Sequence, residues 1–371
     1  MKIDPARDRA IRTFLEQAGW DTAERRDLAG DASTRRYERL ARGSDRAVLM
    51  DWQPGPDGPP LDGKRPYSAI AHLAESCHAF VAIGEFLRAQ GLGAPTLIAQ
   101  DMAAGLLLLE DLGDDLYGAA IDRGAAADGT DLQTLYRAAI DVLLELHDRP
   151  VAADLPLPDG TRYRLPAYDD EALAIESELL TDWYVPVRSG KDLDPADKRA
   201  YQTIWQKLFP QVQNGDPVLV LRDFHSPNLL WRGAAAGLGR VGLIDYQDGL
   251  RGSPAYDLVS MLQDARRDVP EEREAEMLAY YCNAASARRA NFDEADFRKA
   301  YAILGAQRNA KIMGIFVRLW KRDGKPAYLA HLPRVSTYLE RDLRHPALHD
   351  LKTWLDRHVP PQVRATPLTV S

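Results

Sequence analysis

An aspartate and an asparagine in the segment LRDFHSPNLL, residues 221–230, have a spacing that suits phosphoryl transfer. Asp223 and Asn228 lie between two short apolar runs, and Asp245 ends a third, VGLI. If these runs pair as a hairpin, Asp245 comes close to Asn228, and two carboxylates and an amide oxygen converge. Such oxygen ligands suit Mg²⁺, which also binds water and phosphate oxygens. One carboxylate can then accept a proton from a hydroxyl while the other groups hold the metal on a nucleotide.

The same residues also have a purely structural explanation. Asp and Asn favour turns because their side chains bond to nearby backbone groups, and a single D-x-x-x-x-N match is common. Two features favour the catalytic interpretation: the strand-like run that ends in Asp245, and the segment GLRGSPAYDL, which places Asp257 at the start of a helix.

These segments resemble the aminoglycoside phosphotransferase and choline-kinase-like family, whose fold is that of eukaryotic-type kinases. The resemblance implies that Asp223 is the catalytic base, that Asn228 and Asp245 bind the metal, and that the cofactors are ATP and Mg²⁺. The connection from Asp245 to the SPAYDL helix is too short for the activation segment of a protein kinase. Leu221 occupies the place of the usual histidine two residues before the base.

The nucleotide side of the resemblance lies in the first third of the chain. GDASTRRYERL (30–40) and AVLMDWQP (47–54) resemble the phosphate-covering hairpin and the strand after it, and LLLLEDLGDDLY (106–117) resembles the hinge that meets adenine. The nucleotide-binding residues implied are Ser33, Thr34, Arg35, Arg36, Glu110 and Leu112. The usual third-strand lysine is absent, with Met50 or Asp51 in its place. Arg35 and Arg36 are the nearest replacements, since arginine binds phosphate with a bidentate fork; the alternative is a solvated charge pair.

The segment 306–335 resembles a C-terminal block of one subgroup, the anomeric kinases for N-acetylmuramate and N-acetylglucosamine in bacterial cell-wall recycling. The resemblance implies an amino-sugar substrate and a sugar 1-phosphate product. N-acetylmuramate carries a lactyl carboxylate, which needs a cation. Arg308 and Lys311 share a helix face, Arg318 and Lys321 have the same spacing, and a solvated basic face is the alternative for each. His225, next to the base, either contacts the substrate or packs the loop.

Two other functions remain open from the sequence. An aminoglycoside kinase needs carboxylates for its polycationic substrate, and DDEALAIESELL (169–180) offers them. A catalytically silent nucleotide-binding or scaffold protein is favoured by the missing lysine and by Leu221. Against it, Asp223, Asn228 and Asp245 are all present.

The elements that must position these residues follow from hydrophobic periodicity and turn signals. We predict an α+β, two-lobed protein-kinase-like fold, with a β-rich N-lobe at 1–112, a helical C-lobe at 113–358 and a frayed tail at 359–371. The expected helices are 6–19, 69–90, 131–148, 169–184 and 194–209, with further helices from 255 onward. The expected strands lie in 24–52, with turns at Gly30–Asp31 and Gly43–Ser44, in a hairpin at 95–112, and in a small group at 217–245.

Composition limits the class of protein. The chain has 371 residues, of which 45% are hydrophobic and 27% charged, as in ordinary globular proteins. Its net charge of -8 and the lack of a basic stripe argue against nucleic acid as a partner. Two distant cysteines argue against a disulfide framework or a zinc site, and no apolar run suggests a membrane span or a secretion signal. We therefore expect a cytoplasmic protein, a monomer, that acts on a small molecule.

Overall fold

The computed structural model describes residues 4–28, 35–53 and 65–369. Its strands are β1 (Glu24–Leu28), β2 (Arg36–Arg42), β3 (Asp45–Asp51), β4 (Leu97–Asp101), β5 (Leu106–Glu110), β6 (Asp154–Pro156), β7 (Arg162–Arg164), β8 (Val218–Val220), β9 (Leu229–Trp231), β10 (Val241–Leu243) and β11 (Leu250–Gly252). Its α-helices are α1 (Pro5–Gln17), α2 (Tyr67–Ile70), α3 (Cys77–Ala89), α4 (Tyr117–Arg123), α5 (Leu132–His147), α6 (Asp170–Leu179), α7 (Val185–Ser189), α8 (Pro195–Leu208), α9 (Ala255–Leu262), α10 (Glu271–Arg288), α11 (Glu294–Asp323), α12 (Leu332–Asp342), α13 (His349–His358) and α14 (Pro361–Ala365). A π-helical segment, Leu180–Tyr184, continues α6, and short 3₁₀ segments lie at Phe209–Val212, Ser226–Asn228, Gly237–Arg240, Pro326–His331 and Pro346–Leu348.

The first five strands form one antiparallel sheet in the order β1–β2–β3–β5–β4. Successive side chains of a strand face opposite sides of the sheet, and the run LLLL in β5 is covered on both sides. Leu106 and Leu108 pack with Ile11 of α1, whereas Leu107 and Leu109 belong to the main core. A continuous apolar run is therefore the expected sequence of this strand.

Helix α1 is fastened to the sheet by a largely buried ion pair. Arg7 donates to the carboxylate of Asp51 at 2.6 Å and to the carbonyl oxygen of Ala104 at 2.8 Å. Asp4 caps the helix by accepting from the amide of Ala6, as Asp commonly does at this position. The carboxylate of Asp51 is therefore occupied by its ion pair with Arg7 of α1.

The helical lobe is built around α11, which has 30 residues and contacts α6, α9 and α12. The approach to α6 is close: a Cβ atom on Gly314 would lie 2.3 Å from the backbone of Leu179. Only glycine fits there without moving one of the helices.

The short strands near the centre of the chain pair in two separate ribbons. β9 pairs with β10, so that Leu229 lies opposite Leu243, and the amide of Ile244 donates to the carbonyl oxygen of Asn228 at 3.1 Å. β8 pairs with β11 instead. The β9–β10 ribbon is the hairpin that brings Asp245 next to Asn228.

The predicted α+β architecture, with a β-rich first third and a helical remainder, is confirmed. The turn at Gly43–Ser44 connects β2 and β3 as expected, and the turn at Gly30–Asp31 lies outside the described residues. No helix in the described ranges has the length and apolarity that a membrane crossing requires.

Two local predictions are wrong. The expected helix 69–90 is interrupted between α2 and α3 because tertiary hydrogen bonds hold this segment: the carbonyl oxygen of Ala71 accepts from Arg222, and the amide of Ala74 donates to Asp248. The tail is not frayed at 361–365, because Arg364 is buried and its guanidinium donates to Glu340 and Asp356.

Candidate active site

A cleft of about 430 Å³ lies between the sheet and the helical lobe. Among the residues that line it are the predicted site residues Arg35, Glu110, Leu112, Asp223, His225, Asn228 and Asp245. The predicted residues Arg36, Arg308 and Lys311 do not line it. Ser33 and Thr34 lie outside the described residues.

The backbone turns sharply just before Asp223 and at Asp245. Arg222 and Asp245 have φ angles of 66° and 59°, in the left-handed region that non-glycine residues rarely occupy. Such conformations persist only where neighbouring groups hold them, and they cluster at functional sites. The turn at Arg222 lets that side chain enter the core while the next residue, Asp223, faces the cleft.

A buried aspartate holds the backbone of this loop. Asp257, in the first turn of α9, accepts from the amides of Leu221 at 2.6 Å and Arg222 at 2.9 Å. Burial raises the pKa of Asp257 to about 7, against the lowering effect of the two amides. The sequence placed Asp257 near the site but gave it no role. This carboxylate supports the loop at the position where Leu221 replaces a histidine.

The two carboxylates in the cleft have pKa values that shift in opposite directions. Burial raises the pKa of Asp245, Arg35 lowers it, and the negative charges of Asp223 and Asp248 raise it further, so that the net shift is upward. Burial also raises the pKa of Asp223, but the neighbouring side chains of His225, Lys311, Arg308 and Arg222 lower it below its ordinary value. Asp223 is therefore ionised at neutral pH and can act as a proton acceptor.

The chemistry of two side chains in the cleft, Asn228 and Asp245, suits a divalent cation. Asn228 donates its side-chain amide to the carbonyl oxygen of Asp223 at 3.0 Å, which fixes the carboxamide beside the loop. Within the described residues no group of three or more His, Cys, Asp or Glu side chains is arranged to hold a metal. Asn228 and Asp245 would supply two oxygen ligands, and Mg²⁺ commonly takes its remaining ligands from water and phosphate.

The two arginines proposed as replacements for the lysine behave differently. Arg35 lines the cleft, pairs with Asp245 at 2.8 Å and lies over the ring of Trp52. Arg36 points elsewhere and pairs with Glu38 and Asp27. Of the two, Arg35 is the one that lines the cleft, and its contact with a phosphate group stays a prediction.

Met50 and Glu110 also line the cleft, on the side of the sheet. Met50 lines the cavity where a lysine was expected, while the neighbouring aspartate of β3 is used by α1. The carboxylate of Glu110 accepts from Arg232 at 2.6 Å and from the hydroxyl of Thr96 at 2.9 Å. The side chain of Glu110 thus stabilises the connection between the lobes.

His225 both lines the cleft and packs against a buried carboxylate, so both of its predicted roles remain compatible with the structure. Asp264 accepts from the amide of Ser226 at 3.2 Å and from its hydroxyl, and lies 3.9 Å from Nδ1 of His225. Burial raises the pKa of Asp264, but the hydrogen bonds and the charge of His225 lower it below the ordinary range. No motif in the sequence marked Asp264.

Behind the loop lies a buried group of charged residues, which we call the supporting cluster. Its members are Tyr168, Glu176, Arg222, Tyr256, Gln307 and Lys311. The carboxylate of Glu176 accepts from Lys311 at 3.0 Å, from Gln307 at 3.1 Å, and from Tyr168 and Arg222. The ammonium of Lys311 also contacts the hydroxyl of Tyr256 at 3.0 Å. Burial raises the pKa of Glu176, but Lys311 and Arg222 lower it to about 2.

The contacts of the supporting cluster concern two predictions from the sequence: substrate binding by Arg308 and Lys311, and an acidic wall at 169–180. Lys311 is bonded to Glu176 inside the protein, and Arg308 is buried and close enough to lower the pKa of Asp223. Direct contact of either residue with a substrate stays a prediction. Glu176 belongs to the expected acidic wall 169–180, and no residue of that wall lines the cleft.

The sequence profile of the phosphotransferase enzyme family, APH, matches residues 24–297. The chain belongs to this family. This phosphotransferase is 40% identical to the N-acetylmuramate/N-acetylglucosamine kinase of Caulobacter vibrioides, in an alignment that covers 98% of this chain and all of the relative. Its predicted resemblance and its assignment as an enzyme are thereby confirmed.

Solved structures with low sequence identity show the same fold. The choline kinase LicA from Streptococcus pneumoniae has a TM-score of 0.57 and 12% identity, covering 91% of this phosphotransferase and 99% of that chain. The streptomycin–ATP ternary complex of the aminoglycoside phosphotransferase APH(2")-IIa has a TM-score of 0.51 and 16% identity, covering 84% and 91%. The predicted protein-kinase-like fold is confirmed.

Proposed function

We propose that this phosphotransferase transfers the γ-phosphoryl group of ATP to the anomeric hydroxyl of N-acetylmuramate and N-acetylglucosamine. The products are the sugar 1-phosphates, and the reaction belongs to peptidoglycan recycling in the cytoplasm. The observation that carries the proposal is the 40% identity, over 98% of this chain, to a kinase named for these two sugars. Three further relatives that match this chain have the same name.

In this proposal Asp223 is the general base. Its lowered pKa keeps it ionised, and an anomeric hydroxyl is more acidic than an ordinary alcohol, so proton transfer to the carboxylate is easier than from other sugar hydroxyls. The amide of Asn228 and the turn at Arg222 orient the loop that carries it. Positioning and charge stabilisation supply most of the catalysis in phosphoryl transfer.

The nucleotide is proposed to lie against the sheet, with adenine at the backbone of Glu110 and Leu112 and the phosphates near Arg35. Asn228 and Asp245 would hold Mg²⁺, which supplies neutralisation of the phosphate charge when bound. Arg35 pairs with Asp245 and lines the cleft, so its guanidinium lies beside the proposed metal ligand, where the phosphates would be bound. An arginine suits this role because its guanidinium binds two phosphate oxygens at once.

An aminoglycoside substrate is less well supported. A polycation needs carboxylates around it, and the acidic segment 169–180 does not line the cleft. Glu176 in particular is buried and already paired with two cations.

The test is a coupled assay of ADP release from ATP with N-acetylmuramate, N-acetylglucosamine, choline and kanamycin in parallel. We expect turnover with the two amino sugars and a 1-phosphate product identified by phosphorus NMR. We also expect activity to be lost on chelation of Mg²⁺ and restored by adding it back. Turnover of kanamycin alone would overturn the sugar assignment.

A further inference from the structure

A second, more open hollow adjoins the active-site cleft, and we call it the basic recess. Residues that define it are Arg266, Phe316, Arg318, Arg322, Lys325 and Tyr328. Arg266 lines both the recess and the cleft that contains Asp223. A molecule whose reacting hydroxyl lies at Asp223 can therefore extend a substituent into the recess.

Hydrogen bonds connect the wall between the recess and the cleft to the loop that carries Asp223. The amide of Arg266 donates to Asp264 at 2.8 Å, and Asp264 accepts from Ser226 in the loop itself. The recess is thus held in a defined position relative to Asp223.

The positively charged side chains of the recess differ in whether a carboxylate neutralises them. Arg322 makes a two-pronged contact with Asp323, at 2.7 and 2.9 Å. Arg318 forms no ion pair with a carboxylate in the part of the chain that the structure describes. Its guanidinium lies 4.8 Å over the ring of Tyr67, and its Nε is buried without a hydrogen-bond partner among the described residues. A buried charged donor without an acceptor is costly, and burial lowers the pKa of Arg318.

The rest of the recess offers an aromatic surface. The rings of Phe316 and Tyr328 lie 5.5 Å apart. Aromatic side chains pack well on the apolar faces of a ligand, and a guanidinium binds a carboxylate with two parallel hydrogen bonds. The recess therefore suits a small apolar group that ends in a carboxylate.

Resting on the function proposed above, we propose that Arg318 binds the lactyl carboxylate of N-acetylmuramate and so distinguishes it from N-acetylglucosamine. The two sugars differ only in this lactyl ether at C3, away from the anomeric C1. Arg318 lines the recess and forms no ion pair with a carboxylate among the described residues, whereas Lys311 is already bonded to Glu176. In this arrangement Lys311 supports the loop and Arg318 determines specificity.

The test compares kcat/KM for the two sugars in the Arg318→Met variant, which keeps an unbranched, flexible apolar chain and removes the charged guanidinium. We expect the ratio of N-acetylmuramate to N-acetylglucosamine activity to fall about 10- to 100-fold, the effect of a lost hydrogen bond between charged groups. The matched control is Arg298→Met on the same helix, where Arg298 is partly exposed and pairs with Glu294. Its ratio is expected to equal that of the wild type.

Two further measurements keep the proposal testable if Arg318→Met does not fold. Arg318→Lys, which keeps a charge, is expected to retain part of the preference. With the wild-type protein, 3-O-methyl-N-acetylglucosamine, which has an ether but no charge, is expected to be no better a substrate than N-acetylglucosamine. An unchanged ratio in Arg318→Met, or use of the methyl ether as efficiently as N-acetylmuramate, overturns the role of Arg318. Wild-type protein that phosphorylates neither sugar overturns the proposed function itself.

Discussion

The two sides of the loop that carries Asp223 place a buried carboxylate in opposite electrostatic environments. On the core side, Glu176 is surrounded by two cations and two neutral donors, and its pKa falls to about 2. On the cleft side, Asp245 has Arg35 but also faces Asp223 and Asp248, and its pKa rises. On the core side, the cations Arg222 and Lys311 of the protein itself neutralise the carboxylate of Glu176. The cleft side keeps an excess of negative charge, which a bound cation would balance.

The largest expected effect is a loss of activity when Asp223, on the cleft side of the loop, is replaced. Asp223→Asn removes the proposed base and is expected to lower kcat by about 10²- to 10⁴-fold, the usual contribution of general base catalysis. The free energy of unfolding should change by about 1 kcal/mol or less, since the supporting cluster is untouched. Steady-state kinetics and urea unfolding on the same preparation provide the measurements. An unchanged kcat would mean that the base lies elsewhere.

The second prediction concerns the stability of the core side. Glu176→Gln leaves Arg222 and Lys311 buried without their carboxylate, and removal of one partner of a buried ion pair typically costs about 3–5 kcal/mol. Urea unfolding should show a loss of this size. Glu178→Gln, two positions along the same helix, is the control: Glu178 is only partly buried and bonds to Gln202, so a change of about 0.5 kcal/mol is expected. Equal effects in both variants would contradict a special role for the supporting cluster.

The third prediction distinguishes the two arginines at the sheet. Arg35→Met is expected to raise the KM for ATP about tenfold, the effect of one charged hydrogen bond. Arg36→Met should change this KM by about twofold or less, because Arg36 pairs with Glu38 outside the cleft. Initial-rate kinetics with varied ATP and saturating sugar measure both values. Similar changes in the KM for ATP in the two variants would contradict the prediction that an arginine must line the cleft to bind ATP.

The smallest effect is a dependence of stability on pH. The ordinary pKa of a Glu carboxyl is 4.5, and that of Glu176 in the folded protein is about 2. The unfolded chain therefore binds the proton first as the pH falls. The stabilisation from Glu176 is complete above pH 4.5 and is lost progressively toward pH 2.

Unfolding of the wild type between pH 4.5 and 3 should consequently show an extra slope of at most about 1.4 kcal/mol per pH unit relative to Glu176→Gln. Urea unfolding at each pH in one buffer system measures both slopes. Parallel pH profiles in the two proteins would indicate that Glu176 titrates normally in the folded state.

Several features of the fold were predictable because they depend on neighbours in the sequence. The hairpin predicted at 95–112 is formed by β4 and β5, and the turn at Gly43–Ser44 followed from turn chemistry. The loop with Asp223 and Asn228 followed in the same way from the short apolar runs that flank it. The break in the expected helix 69–90 was not predictable, because it depends on hydrogen bonds from Arg222 and Asp248, far along the chain.

The amino-acid sequence by itself determined which groups can carry the chemistry, because the spacing of Asp223, Asn228 and Asp245 along two short strands sets their local arrangement. Only the tertiary structure decided which Lys and Arg side chains line the cleft and which pair with carboxylates in the core. Lys311 reaches Glu176 across 135 positions of sequence, and the i, i+3 spacing on a helix face gives no information about such a partner. Long-range packing of α6 against α11 brings this pair together, and local pattern cannot specify it.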